Sequence, residues 1–279
     1  MTRRVLVTGG SGSLGRRVVL RAAEAGWEAV GTYLVRETDT ASVRLDIREP
    51  ADVRRVLEQT RPDAIIHTAS GRDRNDWPAT ADGAAHVSVA AAAHDIRLVH
   101  VSSDAIFSGR DADYDESALP DPVYPYGAAK AAAETAITAI HPAAAIVRTS
   151  LILGGGVPGN GGGAHETLTH DLIAGRVRGA LFTDEIRKPV HADDLADALL
   201  ELAGTDYTGV LNVAGADALS RYDLGVLVAH RDGLDHTAIP ATTIAALGLN
   251  RPPVLRLTTD RAKQLLNTRL RGATEFLTP

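Results

Sequence analysis

A doubly wound α/β fold on a parallel sheet is predicted by three features of the sequence. Short apolar runs alternate with helical patterns through residues 1–150. The runs lack polar alternation, as in "AIIHTA" (64–69), which suits strands buried on both faces. The first run ends in "GGSGSLG" (9–15), four glycines in seven positions, directly before a helical pattern. Strand, helix and strand in repetition require crossover connections, and crossovers make a sheet parallel.

The elements follow in order. Strands are expected at Arg4–Thr8, Glu28–Tyr33, Ser42–Leu45, Ala64–Thr68, Leu98–Ser102 and Ala145–Thr149. Apolar residues at three- and four-residue spacing predict helices over Leu14–Ala25 and Ala51–Gln59. The composition then shifts: "LGGGVPGNGGGAH" (153–165) holds seven glycines in thirteen residues. It reads as a flexible connection or as a rim that orders over a ligand. Beyond it, "ETLTHDLIAG", "ADDLADALLELA" and "SRYDLGVLVAH" are helix-like, while "GVLNVAG" and "PVLRLT" are strand-like. The expected organisation is a dinucleotide-binding domain over residues 1–152 and a smaller mixed α/β lobe for substrate over 153–279. Some chain is expected to return from the second to the first.

Composition excludes several classes of function. The chain has 279 residues, 44% of them apolar, and a net charge of −6. An acid excess argues against a nucleic-acid footprint, which needs a basic face. The absence of cysteine removes disulfides and thiolate chemistry. "VLV" is too short for a signal-peptide core, and no run approaches the roughly twenty apolar residues of a membrane span. A cytoplasmic protein acting on a small molecule is expected, and a homodimer is compatible with the sequence.

Gly9, Gly12 and Gly15 stand in Gly-x-x-Gly-x-x-Gly spacing between a strand and a helix, with Ser11, Ser13 and Leu14 among them. Gly9 permits a tight turn. Gly12 lets a pyrophosphate approach the main chain, and Gly15 lets the helix press on the sheet. The helix N-terminus offers free N–H groups and partial positive charge to the phosphates. The strand–turn–helix context makes this a dinucleotide site. At the end of the second strand an acid would take a ribose 2′-hydroxyl and select NAD. Thr32 holds that place, and Arg36 is placed to pair with a 2′-phosphate, which favours NADP over NAD. Asp46 and Ile47, after the third strand, are placed to touch the adenine edge.

"YPYGAAK" sets Tyr126 and Lys130 four residues apart on one helical face. An ammonium beside a phenol lowers the phenol's pKa and makes it a usable general acid. Ser103, in "VHVSSDAIF", ends a predicted strand, where a parallel sheet delivers side chains to a cofactor crevice. Capping of the following turn is its alternative role.

These blocks, with "VRTS", "KPVHADDLA" and "RPPVLRLTTDRAKQLL", resemble the extended short-chain dehydrogenase/reductases. Within them the chain is most similar to the dTDP-4-dehydrorhamnose reductase-like branch, over nearly its whole length. The resemblance implies a Rossmann-type domain and an NADPH-dependent reductase of a nucleotide-linked 4-keto-6-deoxy sugar. It implies that Ser103 orients the carbonyl, Tyr126 donates the proton, and Lys130 lowers the tyrosine's pKa and holds the nicotinamide ribose. It places Ala69 and Ser70, in "HTAS", beside the adenosine ribose and phosphates, and Thr149 near the nicotinamide. Thr80 stands where many members have asparagine, Ala105 where an aromatic is common, and "RTSLILGGG" lacks the usual aromatic near the sugar pocket. Two alternatives are a nucleotide-sugar epimerase or dehydratase that retains NAD, and an NADP-holding subunit without turnover, like the regulatory subunit of methionine adenosyltransferase.

No metal is expected. His165 and His170 are five apart, about 140° around a helix, and do not share a face. Asp193 and Asp194 read as helix caps, and Trp27 and Trp77 as packing residues.

Overall fold

Val5 and Val7 point to one side of the first strand, Leu6 and Thr8 to the other, and all four are buried. A strand of this kind needs helices on both faces. The computed structural model describes residues 2–71, 73, 75–154 and 163–278. The centre of the glycine-rich stretch, 155–162, lies outside the described residues, and with it the two readings of that stretch.

In chain order the elements are β1 (Arg3–Thr8), α1 (Ser13–Arg21), β2 (Trp27–Tyr33), β3 (Val43–Arg44), α2 (Pro50–Thr60), β4 (Ala64–His67), α3 (Gly83–Ala93) and β5 (Arg97–Ser103). There follow β6 (Asp113–Tyr114), α4 (Pro125–Ile140), β7 (Ala145–Thr149), β8 (Ile152–Leu153), α5 (Ala164–Ile173), β9 (Leu181–Phe182), β10 (Ile186–Arg187), β11 (Val190–His191) and α6 (Ala192–Ala203). The chain closes with β12 (Gly209–Asn212), β13 (Leu219–Ser220), α7 (Arg221–Arg231), β14 (Ala241–Thr242), β15 (Arg256–Leu257), α8 (Asp260–Leu265) and α9 (Ala273–Phe276).

Seven parallel strands form the main sheet in the order β12-β7-β5-β4-β1-β2-β3. One face buries Leu6, Ile65, Leu98 and Ile146 under α2, α3 and α4, through Val56, Val87 and Ile137. The other buries Val5, Val7, Ile66, Val99 and Val147 under α1 and α6, through Val18, Leu195 and Leu199. The strand order reverses beside β1, which opens a crevice at the carboxyl ends of β1 and β4. No helix among the described residues is long and apolar enough to cross a membrane.

Among the described residues beyond 153, β12 joins this sheet, and α6 and the α8 segment pack on the α1 side of it. "GVLN", read as a strand of the smaller lobe, becomes the edge strand β12, paired with β7 from Gly209↔Ala145 to Asn212↔Arg148. α6 packs across α1, with Arg17 paired to Asp193 at 2.5 Å and Arg21 to Asp197. The rest of the later chain builds two-stranded sheets and a small core of Leu153, Leu224, Val228 and Leu277.

Some local expectations shift. α1 stops at Arg21 rather than Ala25, because Gly26 turns left-handed (φ +78°) and Trp27 N–H bonds Ala22 O at 2.9 Å. Asp193 and Asp194 occupy the first turn of α6, but the cap is His191, whose ring accepts from Asp193 N–H, and the two acids pair with Arg17 and Arg271. Trp27 is buried beneath the Arg3 guanidinium, whereas Trp77 is exposed. His170 pairs with Asp232, and His165 is buried apart from it.

Candidate active site

The glycine loop is shaped by what has no room for a side chain. Gly9 is left-handed (φ +74°), and Gly12 N–H bonds its carbonyl at 2.8 Å. A Cβ on Gly15 would lie 2.2 Å from that same oxygen. α1 then starts at Ser13 with no side-chain cap and no acid in its first turn. Its first N–H groups and positive dipole end are therefore available to an anion.

The loop floors a cleft of about 830 Å³. Gly9, Ser11, Gly12, Ser13, Leu14, Gly15, Thr32, Arg36, Asp46, Ile47, Ala69 and Ser70 all line it. Thr32 is buried, and its hydroxyl accepts from Gly9 N–H at 3.2 Å, so it holds the loop as well as standing at the ribose end. Arg36 is exposed on the wall and makes no ion pair among the described residues. Asp46 is claimed by Arg48 at 2.6 Å, which holds its carboxyl below the usual range. The sequence reading missed Arg48, and also Thr40, whose hydroxyl donates to Gly10 O at 2.9 Å behind the loop. Gly31 permits that approach, since a Cβ there would lie 1.8 Å from Thr40 O. Thr80, buried, accepts from Gly71 N–H at 3.2 Å and braces the segment after β4.

Ser103, Tyr126, Lys130 and Thr149 are not among the residues lining that cleft; they lie on β5, α4 and β7, with β5 next to β4 in the sheet and α4 packed on β5. Ser103 and Thr149 are register partners at the ends of β5 and β7. Pro125 starts α4, which fixes its first turn. Gly127 lets that turn press on the chain after Ser103, because a Cβ there would lie 2.0 Å from Ala105 O. Tyr126 is thereby held at the end of β5, half-buried like Ser103. One turn on, Lys130 is buried and donates from Nζ to Val101 O at 2.9 Å. Loss of water drives its pKa down to about 8, and Glu134 opposes the fall. Ser103 Oγ accepts from Ala105 N–H at 3.2 Å, so it caps the turn while its own proton makes only a long 3.4 Å contact to Asp104. Thr149 Oγ1 is buried with no partner among the described residues.

Around these lie groups the sequence did not announce. Asp104 is buried, accepts from Ser150 Oγ at 2.6 Å, and has its pKa raised by desolvation against the pull of Arg187. Glu134 accepts from Ser102 Oγ at 2.5 Å and pairs with Arg148 at 2.8 Å. Its i+4 spacing from Lys130 was the available signal. Arg251 reaches Glu185 at 3.1 Å and stacks over Phe182.

A glycine loop before an uncapped helix in a cleft, with a serine, a tyrosine and a desolvated lysine on the adjoining strand and helix, is the arrangement of an NAD(P)-dependent oxidoreductase of the short-chain dehydrogenase/reductase type. Residues 3–278 match the family described as the RmlD substrate binding domain, and the chain belongs to that family. It is 32% identical over 258 residues to the probable low-salt glycan biosynthesis reductase of Haloferax volcanii, covering 88% of this chain and 85% of that one. It is 29% identical over 248 residues to the dTDP-4-dehydrorhamnose reductase of Mycobacterium tuberculosis, covering 84% and 77%. It is 25% identical to methionine adenosyltransferase 2 subunit beta of Rattus norvegicus, covering 95% of this chain and 83% of that one. The crystal structure of the Bacillus anthracis dTDP-4-dehydrorhamnose reductase in complex with NADP shares the fold, with a TM-score of 0.84 at 23% identity over 99% of this chain and 98% of that one.

Proposed function

We propose that this protein is an NADPH-dependent reductase acting on the ketone of a nucleotide-linked 4-keto-6-deoxy sugar of the dTDP-4-dehydrorhamnose kind. The observation that carries the reading is Lys130, buried and desolvated one helical turn from Tyr126 at the end of the strand that bears Ser103. The relatives named as reductases support the substrate class. The uncapped N-terminus of α1 and its glycine loop fit a dinucleotide pyrophosphate. Arg36, with Thr32 in place of an acid, fits a 2′-phosphate.

When bound, the reduced nicotinamide supplies hydride. Ser103 then orients the carbonyl oxygen, and Tyr126 gives that oxygen its phenolic proton. The ammonium of Lys130 stabilises the phenolate left behind. Asp104, held by Ser150, lies 3.4 Å from the Ser103 hydroxyl.

The test is loss of NADPH absorbance with dTDP-4-dehydrorhamnose as substrate. Tyr126→Phe should lower kcat by about 100-fold or more while leaving the NADPH Kd within about threefold. The similarity to an adenosyltransferase subunit favours one second reading, a dinucleotide-holding subunit. Tight NADPH binding with no ketone reduced, by the wild type as by Tyr126→Phe, would establish it.

A further inference from the structure

His67 and His100 are both completely buried between the sheet and its α3–α4 face. They are register partners on β4 and β5, and their rings stack with centroids 5.2 Å apart. One ring nitrogen of the four is accounted for: His67 Nδ1 lies 2.6 Å from Thr8 Oγ1. His67 Nε2 and both nitrogens of His100 find no partner among the described residues. Buried polar atoms left in this state mark sites for ordered water. A leucine or phenylalanine would fill this layer without that demand, so packing does not account for two imidazoles.

The pair is continuous with the active site at one end and with the cleft at the other. Val101, whose carbonyl holds Lys130 Nζ, is the residue after His100. The lysine's charge acts on both rings. At the far end, Thr8 Oγ1 accepts from the N–H of Ala69, which lines the cofactor cleft. Thr8, His67, His100 and Lys130 thus form one buried line beneath the carboxyl ends of three strands.

We propose that His100 and His67, joined by bound water, are positioning residues that return protons to Lys130 and through it to Tyr126. The inference rests on the reductase reading. Each ketone reduced takes one hydride and one proton, and the proton leaves Tyr126 as a phenolate. Lys130 restores the phenol and becomes neutral. His100 passes an N–H proton to Lys130 through water and takes one on its other nitrogen from His67. His67 is refilled from the Thr8 hydroxyl, and that hydroxyl from solvent at the cleft. A neutral imidazole carries one N–H and one lone pair, so it can relay a proton by exchanging tautomers. The balance is ketone plus hydride plus one solvent proton to alcohol; each turnover leaves the two imidazoles in their opposite tautomers, and exchange of ring protons with the bound water resets them before the next.

The experiment replaces each ring with one of similar size and no nitrogen, His67→Phe and His100→Phe. It reads kcat, the solvent deuterium isotope effect and the isotope effect of C4-deuterated NADPH. A relay predicts kcat about tenfold lower or more, a larger solvent effect and a smaller hydride effect, with NADPH Kd and Tm unchanged or Tm higher. Unchanged kcat in both variants, or a fall with both isotope effects as in wild type, overturns the relay. Should a phenylalanine variant fail to fold, His100→Gln is read in the same way. A wild type that reduces no ketone removes the reductase reading and the relay together. A wild type that turns over while its variants match it removes the relay alone.

Discussion

Burying Lys130 strips its ammonium of water, and the Val101 carbonyl and the charge of Glu134 replace only part of that solvation. The folded chain releases this proton near pH 8, whereas an exposed lysine keeps it to about 10.5. Lys130 therefore destabilises the fold in full below about pH 8, and the penalty fades as pH rises toward 10.5. Lys130→Met should lower kcat by about 100-fold or more yet melt at the same or a higher temperature at pH 7, as calorimetry would show. In wild type, kcat should decline above about pH 8 as the ammonium that stabilises the phenolate is lost. His67 acts at the other end of the scale, because burial holds its pKa down to about 3. The unfolded chain takes up that proton near pH 6.5, so stability falls as pH drops from 6.5 toward 3. The slope from this residue is at most about 1.4 kcal/mol per pH unit, and acid titrations of His67→Phe should be shallower. Tyr126 and Lys130 were legible in the sequence because their pairing is a local i, i+4 relation. His67 and His100 were not, because each is a lone histidine in an apolar run, and only strand register sets them side by side.

The strand–turn–helix unit of β1 and α1 separates two roles for glycine. Gly12 has extended backbone that any residue adopts (φ −85°, ψ 168°), and a Cβ there would sit 3.2 Å from Gly9 O on the cleft wall. Gly15 faces backbone at 2.2 Å with nothing flexible to yield. Gly12→Ala should weaken NADPH about tenfold with little change in Tm, since it narrows the approach of the phosphates without straining the fold. Gly15→Ala should lower Tm as well, because α1 must lift off the loop by more than a side chain can absorb. Calorimetry and fluorescence titration of the two variants distinguish the effects. The unit was legible because its motif is contiguous. The clamp behind it was not: Gly31 and Thr40 touch only because β2 and the chain before β3 fold back on the loop, a contact that sequence spacing does not encode.

Across the whole molecule, the later chain completes the earlier one. Leu195, Leu199 and Leu202 of α6 are fully buried, on the face that also covers Val5, Val7 and Val99. Each leucine contributes about 1.5–3 kcal/mol by leaving water, comparable together to the whole stability of a small domain. β12 pairs the outer side of β7, which would otherwise present an apolar edge strand open to aggregation. The sequence marked α6 correctly as amphipathic, but its period says only that one face is buried, not which layer buries it. A fragment of residues 1–152 should therefore fail to fold alone, although it holds the glycine loop, Ser103, Tyr126 and Lys130. Expressed by itself it should aggregate, or show no cooperative melting transition and no NADPH binding. A fragment extended to residue 213 gains α6 and β12, covers both faces and the edge, and should recover a cooperative transition. Cooperative melting of the shorter fragment would mean that the α1 side of the sheet is stable uncovered, and that the two halves of the chain fold independently.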